Sequence, residues 1–226
     1  MTLKLILAAA VIAPSALLAG PKVTIFGDSY STYEGVIPKG NYVWYEKPPK
    51  NKNDVVKAEQ CWWSIVIKNL DGTLEKNESW SGAPICYKGW EKPEIVRKYA
   101  FVKRTDRLGK PDLILICGGT NDAWCKAPMG EYKYADWEDE DYNFYRPALA
   151  KTLADVQKLH PKAKVLFILN SDLAKNVNDS THVICKHYNV PCVDLKGIDK
   201  GNTGHPTVAG MKAFAEQVTA AVKAMK

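Results

Sequence analysis

Apolar residues along the chain fall into two kinds of run that alternate. Short continuous runs occupy residues 22–26 (KVTIF), 112–117 (DLILIC), 164–169 (KVLFIL) and 191–195 (PCVDL), and a more polar one occupies 73–80 (TLEKNESW). The 112–117 and 164–169 runs are apolar throughout their interiors, as strands covered on both faces of a parallel sheet must be. Between them, residues 61–70, 93–108, 142–159 and 177–188 place apolar side chains at helical spacing. A last helix is predicted over 207–225, with Val208, Met211, Phe214, Ala215 and Val218 on one face. Strand and helix alternate from end to end, which predicts an α/β chain folded as a three-layer α/β/α sandwich about a parallel sheet. No internal repeat or low-complexity linker divides residues 21–226, so one domain is expected.

Two irregular segments break the alternation, and each follows a strand. Residues 32–54 carry Tyr33, Tyr42, Trp44 and Tyr45; residues 123–141 carry Trp124, Tyr132, Tyr134 and Trp137. Both leave carboxyl ends of strands, where open α/β sheets bind ligands. Trp62 and Trp63, at the start of a helix, are expected in the core.

Residues 1–20 stand apart. Lys4 precedes a nearly unbroken apolar stretch from Leu5 to Leu18, closed by the small residues Ala19 and Gly20. This pattern predicts a secretory signal peptide and a secreted or periplasmic mature chain, because the stretch is short of the ~20 residues that a membrane span needs. No stable membrane insertion is expected after its removal. The net charge of +6 comes from scattered lysines, without a basic run interleaved with aromatics, so a nucleic-acid partner is not expected. Six cysteines in an exported chain suggest disulfides, with Cys185–Cys192, Cys61–Cys86 and Cys117–Cys125 as the pairs to propose. His182, Cys185, His187 and Cys192 do not form a familiar zinc pattern, and the disulfide reading is preferred to a metal site.

Candidate chemistry gathers at strand ends. The first strand runs into Gly27-Asp28-Ser29, a turn that exposes a serine hydroxyl at the sheet rim. The second is followed by Ser81-Gly82-Ala83, where a glycine N–H could point at a bound anion. The third ends in Gly118-Gly119-Thr120-Asn121-Asp122, which aims an amide from the same rim. Gly204-His205-Pro206-Thr207 lies just before the final helix and gives a histidine with a restricted backbone. Each of these is ordinary turn chemistry when taken alone.

Taken in order, FGDS, SGA, GGTND and GHP resemble the four blocks of the SGNH (or GDSL) hydrolase family, matching Ser29, Gly82, Asn121 and His205. The resemblance covers nearly all of the chain after residue 21. It implies a five-stranded flavodoxin-like sheet and hydrolysis of acyl esters through an acyl-enzyme. In that scheme His205 is the base for Ser29, and the oxyanion hole is built from Ser29, Gly82 and Asn121. No metal or organic cofactor is needed.

One position departs from the family. The triad acid usually lies three residues before the histidine, and that position is Asn202. Either Asp199 supplies the carboxylate, or Asn202 or a backbone carbonyl only orients the ring, or the chain is a weak relative that binds ligand. Asp199 is the preferred candidate; Asp194 and Asp28 are expected to serve structure. The aromatic segments favour a glycan ester, acetylated ones included, over a long-chain lipid, with a lipase or thioesterase activity and a glycan-binding role as alternatives.

Overall fold

The computed structural model describes residues 20–49 and 51–225. The predicted leader thus falls outside the described residues apart from Gly20. Five strands form one sheet: β1 (Lys22–Gly27), β2 (Thr73–Asn77), β3 (Leu113–Cys117), β4 (Lys164–Leu169) and β5 (Cys192–Asp194). All pairs are parallel and the order is β2-β1-β3-β4-β5. The chain winds one way from β1 to β2 and the other way from β3 onward. The carboxyl ends of β1 and β3, where Gly27 pairs with Cys117, therefore flank the switch point at which such sheets bind ligands.

Among the described residues six helices accompany the sheet: α1 (Trp62–Asn69), α2 (Pro93–Val96), α3 (Thr120–Trp124), α4 (Tyr145–Leu159), α5 (Lys175–His187) and α6 (Val208–Ala224). Strand alternation splits the core in two. Leu113, Leu115 and Cys117 of β3 face Trp62, Val66, Met211 and Phe214 of α1 and α6, and Trp62 stacks on Phe214 with centroids 4.5 Å apart. Ile114 and Ile116 face the other way, onto Leu149, Leu153, Val177 and Ile184 of α4 and α5. β2 is an edge strand with its first three residues exposed, which explains its polar composition.

Two expectations are corrected. Residues 93–108 do not form one helix: after α2 they break into short 3-10 turns at Phe101–Lys103 and Thr105–Arg107. The N–H groups of Phe101 and Val102 donate instead to the carbonyls of Pro84 and Ile85. The Arg104 guanidinium is wholly buried, donating to the carbonyls of Tyr99 (2.7 Å) and Glu78 (2.5 Å) between the rings of Phe26 and Phe101. Tertiary partners thus outcompete the helical ladder, and burial lowers the Arg104 pKa to about 9.

The proposed disulfides are not present, and all six cysteines are free thiols. Cys61 and Cys86 lie in cores on opposite faces of the sheet. Cys117 points under α1 and α6, whereas Cys125 stands near Tyr99 of the other core. Cys185 and Cys192 do meet, as hydrogen-bonding thiols, and that contact together with burial pushes the Cys185 pKa far up. Among the described residues no helix is long and apolar enough to cross a membrane.

Candidate active site

β1 delivers its chain end into a locked turn. Asp28 caps the 3-10 turn Ser29–Ser31, its Oδ1 accepting from the Tyr30 N–H at 3.0 Å. Asp28 is fully buried, and desolvation raises its pKa to about 7, so it serves the turn rather than the surface. Ser29 is only 3% exposed, and its Oγ lies 2.8 Å from His205 Nε2.

The histidine loop is held at both flanks by residues of the first aromatic segment and of the serine turn. The Tyr30 hydroxyl donates to the Gly204 carbonyl at 2.5 Å and accepts from Asn170 Nδ2 at 3.1 Å. The Tyr45 hydroxyl (3.0 Å) and Asn53 Nδ2 (3.2 Å) both donate to the Pro206 carbonyl. His205 Nδ1 faces the carbonyl of Thr203 at 3.2 Å. A carbonyl only accepts, so Nδ1 carries the proton and Nε2 is left as the acceptor for the Ser29 hydroxyl. Burial lowers the His205 pKa to about 4, against a raising effect of the Thr203 carbonyl and with a further lowering from Lys200.

Asp199, Asn202 and Asp194 stand elsewhere. The Asp199 carboxylate accepts from Thr207 Oγ1 at 2.7 Å and from the Gly201 N–H at 3.1 Å, bonds that lower its pKa while it remains open to solvent. Thr207 in turn caps α6. Asp199 therefore braces the start of that helix. Asn202 is exposed on a surface hollow shared with Asn51, Lys52 and Lys200. Asp194 meets His182 Nε2 at 2.9 Å. Among the described residues, no carboxylate hydrogen-bonds the His205 ring.

The expected oxyanion donors, Ser29, Gly82 and Asn121, follow the ends of β1, β2 and β3. No described residue accepts from the N–H groups of Ser29 or Gly82. Gly82 sits at φ +81°, a conformation that glycine adopts without strain. Asn121 lies in the first turn of α3, which Gly119 precedes at φ +93°. Its Nδ2 gives one hydrogen to the Ala83 carbonyl at 3.0 Å, and its Oδ1 accepts from Trp90 Nε1 at 2.8 Å. These bonds fix the amide so that its second N–H stays available. Asp122 ties the loops together by accepting from the N–H groups of Ile85 (2.8 Å) and Cys86 (3.1 Å), and burial raises its pKa to about 6.

Aromatic rings border the pair. Trp44 stacks on His205 with centroids 3.6 Å apart, and Trp124 lies edge-on to it at 5.9 Å. Trp90 and Tyr42 extend the border and are 61% and 59% exposed. Trp90 carries no motif and was invisible in the sequence; its only signal is a large aromatic in a turn-rich stretch after β2. Cation-ligating groups converge at one other place among the described residues. His182, Cys192 and Asp194, between α5 and the edge strand β5, bring their ligand atoms within 4.8 Å of one another. His187, weighed with them in the sequence, stacks on Tyr134 instead.

Comparison with known proteins bears on the family and the fold. The family described as GDSL-like Lipase/Acylhydrolase matches residues 21–222. A GDSL-like lipase from Bacteroides ovatus is 40% identical and superimposes with a TM-score of 0.87 over 91% of this chain and 99% of its own. One from Bacteroides uniformis is 41% identical, with the same TM-score, over 91% and 97%. At the level of fold alone, a family two carbohydrate esterase from Clostridium thermocellum, in complex with cellohexaose, is similar at 19% identity and a TM-score of 0.59, over 89% of this chain and 63% of its own. No curated protein matches the chain. The chain belongs to the GDSL-like lipase/acylhydrolase family and is a hydrolase of ester bonds.

Proposed function

We propose that the protein is an exported serine esterase that removes small acyl groups, acetyl first, from carbohydrate hydroxyls through an acyl-enzyme on Ser29. The observation that carries this reading is the 2.8 Å approach of His205 Nε2 to Ser29 Oγ. As Oγ bonds the carbonyl carbon, its proton passes to Nε2 and the carbonyl electron pair moves onto oxygen. That oxyanion takes hydrogen bonds from the Ser29 and Gly82 N–H groups and from Asn121 Nδ2. His205 then returns the proton to the departing alcohol oxygen as the C–O bond breaks. Water repeats the sequence and frees the acid. The Thr203 carbonyl keeps the imidazole in the working tautomer but supplies a dipole in place of a full charge.

The exposed faces of Tyr42, Trp90 and Trp124 suit a sugar ring, which stacks on aromatic faces while its hydroxyls stay in water. The carbohydrate esterase of the same fold supports that choice, and the apolar leader of residues 1–20 supports export. The test is hydrolysis of p-nitrophenyl acetate beside Ser29→Ala, followed by acetate release from acetylated xylan and hydrolysis of p-nitrophenyl decanoate. The substitution is expected to cost at least ~1,000-fold in kcat. A tenfold preference for decanoate would favour a lipase-like enzyme. The lack of a carboxylate on His205 favours a second reading, a glycan-binding relative; equal background rates in both proteins, with xylan binding retained, would establish it.

A further inference from the structure

We propose that Trp44 is a positioning residue for the base, its indole face stabilising the His205 imidazolium that forms as Ser29 is acylated. The inference rests on the esterase reading of Ser29 and His205. It answers what compensates for the missing carboxylate.

Four aromatic rings surround His205 among the described residues, and only one lies parallel to it. Trp44 lies 3.6 Å away at an interplanar angle of 10°. Tyr30 is tilted by 59° at 5.0 Å, Trp124 by 66° at 5.9 Å and Tyr45 by 74° at 6.4 Å. A face-to-face sandwich is the least favoured arrangement for two neutral rings, because their quadrupoles repel. When one ring gains a positive charge the sign reverses, and the indole face, the best such surface among side chains, attracts it. The contact therefore favours the state with a protonated ring over the resting state, which is the differential that accelerates a reaction.

The other groups around the ring do not supply this. Lys200 acts on His205 as a like charge. The hydroxyls of Tyr30 and Tyr45 are committed to the carbonyls of Gly204 and Pro206. The Thr203 carbonyl offers one dipole at Nδ1. Trp44 is also tethered to the nucleophile's own turn. Its backbone N–H donates to Thr32 Oγ1 at 2.8 Å, and that hydroxyl donates to the Ser29 carbonyl at 3.2 Å. The backbone that carries the indole is thus tied by two bonds to the turn that carries the serine.

The test replaces Trp44 alone, by site-specific incorporation, with mono-, di- and trifluorotryptophan, which drain the ring face while nearly keeping its shape. Two quantities are read: the His205 pKa in the free protein by ¹⁵N NMR of the imidazole, and kcat and KM for p-nitrophenyl acetate. Both the pKa and log kcat are expected to fall stepwise with fluorination, kcat by roughly threefold to tenfold over the series with KM unchanged. Trp44→Leu should lie below the series and Trp44→Phe within it. A pKa and kcat that stay flat across the fluorinated series would overturn the proposal and leave Trp44 as packing. A native protein without turnover would overturn the esterase reading instead, and the pKa series would still decide the role of Trp44.

Discussion

The two aromatic segments, residues 32–54 and 123–141, are alike in composition and in their exit from strand ends, yet they bind to different parts of the molecule. The first is fastened to the histidine loop: Trp44 lies on the His205 ring, and Tyr45 holds the Pro206 carbonyl. The second turns away after Trp124. Tyr134 stacks on His187 of α5 at 3.7 Å, Arg146 of α4 lies over Tyr132, and Trp137 donates to the Lys133 carbonyl. One segment builds the site and the other covers the helices behind it. A tyrosine or tryptophan near a catalytic rim is therefore informative only once its partner is known.

That contrast can be broken or sharpened by substitution. The largest effect is expected at Asn121, at the root of the second segment. Asn121→Ala removes an oxyanion donor and should lower kcat by about 100- to 1,000-fold with little change in KM; a loss below tenfold would remove the amide from the mechanism. In the serine turn, Tyr30→Phe deletes the bond to the Gly204 carbonyl and should cost about tenfold in kcat. Steady-state kinetics across several substrate concentrations separates that loss from weaker binding.

The pH profile comes next. The base must be neutral, and His205 has its pKa lowered to about 4 by burial. The acid limb of kcat/KM should accordingly fall near pH 4, well below an ordinary histidine, so activity persists at pH 5.5. The same shift has a stability consequence of definite sign. Between pH 6.5 and pH 4 the unfolded chain binds the extra proton, so the His205 contribution to stability is present above that window and is lost as pH falls through it. An acid limb near pH 6.5 would show that solvent reaches the ring.

The smallest effects on rate are expected away from the ring. Asp199→Ala and Asn202→Ala should each stay within about threefold of the native kcat, whereas losing a true triad acid costs ~10,000-fold. Tyr134→Ala, in the second segment, should leave kcat unchanged and lower stability by roughly 1–3 kcal/mol, measured by urea unfolding. A matching loss of activity there would mean that the second segment also shapes the site.

Much of the fold is legible in the sequence because burial on two faces leaves an unmistakable pattern. The apolar runs at 112–117 and 164–169 emerge as β3 and β4, and the final amphipathic stretch emerges as α6. β2 is hard to read because an edge strand with exposed side chains needs no apolar code. The stretch at 93–108 has helical spacing, but its amides find partners at Pro84 and Ile85, a competition between distant segments that no local pattern reports. The Cys61–Cys86 and Cys117–Cys125 pairs fail for the same reason, since spacing does not reveal which face of the sheet a thiol occupies.

The sequence by itself determined the strand–helix alternation and the single layer of parallel strands, and the blocks that resemble the family marked Ser29, Gly82, Asn121 and His205 as candidates. These follow from local periodicity and from short motifs whose glycines and turn residues act within a few positions. Only the tertiary structure decided that the His205 ring leans on the Thr203 carbonyl and the Trp44 face, that Asp199 braces α6, and that Trp90 orients Asn121. Those contacts join segments that are far apart in the chain or depend on which way a loop turns. Their energy comes from close approach in space, a distance that the order of residues does not contain.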